Sequence, residues 1–177
     1  MVLLPARWRH TIRRFSGVLL TGTALAVGVG GGGWANEAHA QFLGQDFTTG
    51  TAQGAMATGL FSTAVGEIST ASGTLSTALG NQSTASGNFS TAVGQNSNAI
   101  ASGSSALGTS STASGDFSTA LGQSSAASGV TSTAVGQSST ASGDFSTALG
   151  QSSAASGVTS TALGNYSIAS GDFSTAL

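Results

Sequence analysis

The chain holds 177 residues, of which 110 are Ala, Ser, Thr or Gly, with no Cys and only 6 % charged residues. Side chains this small cannot fill an ordinary globular core at native density, and without thiols there is neither a disulfide framework nor a thiolate metal site. All four basic residues (Arg7, Arg9, Arg13, Arg14) stand in the first 14 positions, and from Gln41 onward the chain has five acids and no Lys, Arg or His.

Residues 1–40 read as an export signal. A segment bearing the four Arg precedes a small apolar run from Val18 to Val29, then a Gly-rich stretch and Ala38-His39-Ala40. A basic start, a short apolar run and an A-x-A end are the layout of a secretory signal peptide, and the run is too short to span a bilayer comfortably. Cleavage is expected between Ala40 and Gln41. What remains has no His, Lys, Arg or Cys. It lacks a base tuned near neutrality, a reactive amine and a thiol, so neither enzymatic activity nor a cofactor or metal is expected. It also lacks basic side chains for phosphate, which argues against a nucleic-acid partner.

Residues 41–58 read as a lead-in or cap. From Gly59 a repeat governs the chain. Seventeen positions spaced by seven run from Gly59 to Gly171, and all but Ala101 are Gly. Ala stands two residues before each, and Ser four residues before each from Gly66 on. The frame is S-x-A-x-G-x-x. The residue just before Gly alternates: Val65, Leu79, Val93, Leu107, Leu121, Val135, Leu149 and Leu163 are apolar, while the intervening positions are Ser except for Ile100. The true unit is therefore 14 residues.

Each heptad reads as a short strand and a corner. Strand side chains alternate, so Ser, Ala and Gly share one face and the two x positions the other. The closing x-x pair is rich in Gln, Asn, Asp, Ser and Thr, as a turn requires. A coiled coil would need an apolar a/d pair, and Gly and Ser in every heptad disfavour helix. Collagen would need Gly at every third residue. The low content of large apolar residues warns of disorder, but a disordered chain has no reason to hold Ser, Ala and Gly in fixed columns. Stacked coils give that reason: two strands per coil would place identical small side chains one above another in a narrow tube. The expected fold is all-β, a parallel β-solenoid of 14-residue coils. The Val/Leu column would then form an apolar stripe along its outside, which calls for self-association with the stripe at the centre.

The units Ser62-Thr63-Ala64-Val65-Gly66 and Ser69-Thr70-Ala71-Ser72-Gly73 resemble the head repeats of trimeric autotransporter adhesins, the YadA-like family of Gram-negative bacteria, over residues 59–177. The resemblance implies a left-handed parallel β-roll and a homotrimer, with Val65, Leu79, Val93, Leu107, Leu121, Val135, Leu149 and Leu163 at its interface. It also implies display on the outer membrane surface and adhesion to host extracellular matrix or a cell-surface protein. Membrane anchoring would come through a C-terminal part that these residues do not contain; without it the chain would be secreted. The family's Ile-Ala-Ile-Gly style of strand appears here only as Thr-Ala-Val/Leu-Gly.

Two further columns recur at a spacing of 28 residues. Asp116, Asp144 and Asp172 read as turn residues, since no set of oxygen ligands accompanies them. Phe61, Phe89, Phe117, Phe145 and Phe173 follow at the same corner; they would either pack there between coils or chains, or face a ligand. Two other functions fit a solenoid. A structural spacer or surface-layer element is one. Ice binding by outward Thr is the other, but Thr fills only four of eight such sites on the Ser strand, which is too irregular for a flat array.

Overall fold

The computed structural model describes residues 54–177 in full and residues 40–43 and 46–51 as backbone strands. The segment expected to be a signal peptide, Ala38 included, lies outside the described residues apart from Ala40. Ala40 and Gln41 open the strand Ala40–Leu43, which pairs antiparallel with Asp46–Thr51.

All the regular structure in the described residues is strand, arranged in two sheets of eleven and nine strands. The first sheet takes the three-residue strands that end in Val or Leu, such as Thr119–Leu121 and Thr133–Val135. The second takes the two-residue strands between them, such as Ala126–Ala127 and Thr140–Ala141. Within the coils pairing is parallel and between equivalent residues one coil on: Thr119 with Thr133, Ala120 with Ala134, Leu121 with Val135. The ladder reaches upstream of Gly59. Thr49–Thr51 pairs in parallel with Thr63–Val65, and Met56–Ala57 with Thr70–Ala71. The antiparallel strand Ala40–Leu43 forms the edge of the first sheet beyond them.

The core is built from two residue types. Ala64, Ala71, Ala78 and their equivalents to Ala169 are buried, as are Ser62, Ser69 and theirs to Ser167. No larger side chain is fully buried among the described residues. With interiors this thin, coil-to-coil backbone hydrogen bonds carry much of the cohesion, and identical residues repeat because each coil faces a copy of itself. The glycines serve the same closeness. A methyl group placed on Gly122 would lie 2.7 Å from the carbonyl carbon of Gly136.

The corners have a common geometry. In all of them but the Ser160 corner, the Ser N–H reaches back to the carbonyl three residues earlier, as from Ser76 to Gly73 at 3.3 Å. The residue before that Ser has positive φ: 56° at Leu75, 57° at Phe117, 54° at Thr131 and 59° at Tyr166. Turns of this form favour Gly or Asn at that place. Here only Gly103 and Asn96 meet that preference. Bulky residues there cost about 1–2 kcal/mol each, and the stacked coils hold them in place. Each also donates its N–H to the coil before, as Phe117 does to Ser102 at 2.8 Å.

Alternate corners treat the core Ser differently. Ser69, Ser83, Ser97, Ser111, Ser125, Ser139, Ser153 and Ser167, which lead into the second sheet, each donate a side-chain bond to a Gly carbonyl, as from Ser139 to Gly136 at 3.0 Å. Those leading into the first sheet, Ser132 and Ser146 among them, have buried hydroxyls without a partner. Ser104 is the exception, bonding to the Ala101 carbonyl at 2.7 Å. A satisfied buried hydroxyl contributes about 1 kcal/mol, while an unsatisfied one carries a desolvation cost. Ser139→Ala should therefore lower the denaturation midpoint by the equivalent of about 1 kcal/mol. Ser132→Ala should leave it unchanged or raise it. Guanidinium unfolding followed by circular dichroism checks both; equal losses would show that the two Ser columns are energetically alike.

Candidate functional site

Three surfaces run the length of the solenoid. The first is the Val/Leu stripe. Leu79, Leu121, Leu149 and Leu163 are exposed, while Val65, Val93, Leu107 and Val135 are half-buried. Their backbones pair in register, Val65 with Leu79, Leu79 with Val93 and Leu107 with Leu121. Successive side chains therefore sit about 4.8 Å apart and make one continuous apolar ridge. Thr63, Thr77, Thr91 and their equivalents lie beside it, two residues earlier on the same strands.

The second surface is the outer face of the second sheet. It is polar and uncharged, with Thr70, Thr84, Thr112 and Thr140 interrupted by Asn98, Ala126, Ala154 and Ile168. The interruptions remove the regular Thr lattice that ice binding would need.

The third is the corner that leads into the first sheet. Here the five Phe stand at the positive-φ position, with φ of 56° at Phe61, 59° at Phe89, 57° at Phe117, 56° at Phe145 and 54° at Phe173. All are exposed, Phe117 at 67 % and Phe145 at 60 %. The coils between them carry Leu75, Gly103, Thr131 and Thr159 at this place. The Phe117 ring lies against Gly103, where a methyl would come within 2.7 Å of Cδ1. Their exposure rules out burial between coils of one chain.

The Asp column beside them has a structural task that the sequence did not disclose. The N–H groups of Ser102, Val130 and Val158 donate to Oδ1 of Asp116, Asp144 and Asp172 at 3.1, 2.8 and 2.9 Å. Asn88 accepts from Thr74 in the same way at 3.0 Å. Each of these side chains ties its corner to the coil before it. Asp144→Asn should keep the bond and the stability, as Asn88 does, while Asp144→Ala should lose about 1 kcal/mol. Thermal melts of the two variants test this. No group of three acidic, His or Cys side chains that could hold a metal occurs among the described residues, and no helix long and apolar enough to cross a membrane occurs among them.

A stack of coils that pair in parallel register and repeat the same buried Ser and Ala at every level defines a parallel β-solenoid. The model of the YadA head domain repeat matches residues 57–74, 71–97, 98–125, 127–153 and 155–177. The chain belongs to this family: it is a YadA-like adhesin head of the trimeric autotransporter type. A crystal structure of the collagen-binding domain of the Yersinia adhesin YadA is similar, with 32 % identity and a TM-score of 0.67 over 72 % of this chain and 73 % of that one. No curated protein matches the chain by sequence.

Proposed function

We propose that this chain is the head of a surface-displayed adhesin that binds host extracellular matrix as a homotrimer, without catalysis. In this reading residues 1–40 are removed on export after Ala40, residues 41–58 lead into and cap the solenoid, and residues 59–177 form the head. The Val/Leu stripe forms the interface between chains. Trimeric state and matrix binding are supported by the family and by the similar structure, a collagen-binding domain.

The observation that carries the reading is repetition in register. Each coil offers small polar groups, chiefly Ser, Thr, Gln and Asn, at heights matched to its neighbour, with interruptions such as Ala126 beside Thr140. No described residue is basic, and the described acids are Asp46, Glu67, Asp116, Asp144 and Asp172. Such a surface makes weak contacts many times over, and linking weak sites raises avidity by about 10²–10⁴.

Binding of the purified chain to collagen-coated and other matrix-coated surfaces is the test. Single substitutions such as Phe117→Ala or Asp144→Ala should change binding by less than about threefold, and salt should matter little. Loss of the oligomer should abolish binding. If one point substitution removed binding while the oligomer stayed intact, a localised site would replace the distributed one.

A further inference from the structure

The Phe ladder is separate from both the stripe and the polar faces. Phe61 stands at a corner, two residues before the strand Thr63–Val65 whose last residue belongs to the stripe, so ladder and stripe occupy different places on the coil. Successive Phe are two coils apart, about 9.6 Å at a rise of about 4.8 Å per coil. From Phe61 to Phe173 the ladder is about 38 Å long. A polyproline II strand turns once every three residues with a rise of about 3.1 Å, so side chains at i, i+3 and i+6 share one face about 9.3 Å apart. The two repeats keep step along the whole ladder, drifting by about 1 Å over its length.

The chemistry beside the rings fits the same ligand. Proline-rich strands dock on exposed aromatic side chains because they are already ordered before binding. Asp116, Asp144 and Asp172 stand next to Phe117, Phe145 and Phe173, each with Oδ1 taken by a backbone N–H. Oδ2 of each has no hydrogen-bond partner among the described residues and remains available to a cation. Basic side chains also favour aromatic faces. With no cation among the described residues, the ladder repels anionic chains and suits basic ones.

We infer that the ridge of Phe61, Phe89, Phe117, Phe145 and Phe173, with its flanking Asp residues, binds a basic, proline-rich strand in the polyproline II conformation, one triplet per Phe. Proline rings of one strand face lie on the Phe rings, and the adjacent face turns its basic side chains to the Asp carboxylates. This rests on the matrix-adhesion reading, since collagen chains are themselves polyproline II-like; single-strand peptides separate the two, because the chain can bind collagen and fail the triplet peptide.

The test is fluorescence anisotropy with the full chain at low salt and a labelled (Pro-Pro-Arg)5 peptide, about 46 Å long when extended as polyproline II. Two control peptides accompany it: (Pro-Pro-Pro-Arg)4, whose Arg residues repeat at about 12.4 Å, and flexible (Gly-Gly-Arg)5. The triplet peptide should bind at least about tenfold tighter than either, since only it keeps every site engaged. Replacing Phe89, Phe117 and Phe145 together by Thr, the residue that Thr131 and Thr159 already supply at this corner, should weaken it by about tenfold or more. The circular dichroism spectrum and oligomeric mass of that variant should not change. Should the Thr variant fold poorly, Phe→Asn at the same positions replaces it, since Asn favours positive φ. Equal affinity for the triplet and quadruplet peptides, or undiminished binding by a folded ladder variant, would overturn the inference. So would absence of binding to the triplet peptide.

Discussion

Gly122→Ala should break the solenoid at mid-length. Gly122 has φ of 135°, outside what L residues with a side chain readily adopt, and an added methyl would press on the carbonyl of Gly136 in the next coil. The backbone strain alone costs about 1–3 kcal/mol. Relieving the clash means separating two coils, which would disrupt the bond from the Gly136 N–H to Leu121 at 2.8 Å and others near it. A loss above about 4 kcal/mol is expected, in the range reserved for a few mechanisms of which this is one. Gly115→Ala should also be severe: its φ is not positive, but an added methyl would lie 2.5 Å from the carbonyl carbon of Gly129 in the next coil, closer than at Gly122. Ala101 stands in the same column only at a corner that carries Gly103 two residues later with φ of 65°. Thermal unfolding of both variants decides the matter. If Gly122→Ala melted within a few degrees of the unmodified chain, coil-to-coil closeness would not be what keeps Gly in this column.

The frame S-x-A-x-G-x-x was legible because it encodes packing, and packing in a solenoid repeats at the period of the sequence. Ala64, Ala71, Ser62 and Ser69 are buried where strand alternation puts them, and the coils pair fourteen residues apart. The corners were less legible. Their x-x pairs look like ordinary polar turns, yet the second x takes positive φ whether it is Ser124, Ile68 or Phe117. Nothing in those side chains marks the conformation; it is imposed by the stack, as tertiary context overrides local preference. The Asp column was read as plain turn residues, and its bonds to Ser102, Val130 and Val158 join residues fourteen apart, a relation that turn propensities do not describe. Nor did the identical Ser residues reveal that one column donates to Gly carbonyls while the other lacks partners. That difference depends on which corner precedes each Ser.

The stripe allows the sharpest test of assembly. Leu121 and Leu149 are exposed in the single chain, with Val135 half-buried between them in register. If the chain worked alone, replacing all three by Thr would be a surface change, worth less than about 0.5 kcal/mol per site. Thr is also well suited to strands and already occupies the outward position two residues earlier in these coils, at Thr119, Thr133 and Thr147. If the three lie between chains, the same replacement removes apolar burial of about 1.5–3 kcal/mol per side chain, multiplied by the number of chains. The expected result is therefore an oligomer for the unmodified chain and dissociation for the Thr variant. Asp at the same three positions should go further, because buried charges without partners cost several kcal/mol each and these would repel one another along the ridge. Monomers that unfold or aggregate are expected from it. Light scattering measures the mass, and three times the chain mass for the unmodified protein supports the trimer. A stable, folded monomer before any substitution would refute an interface built on this stripe.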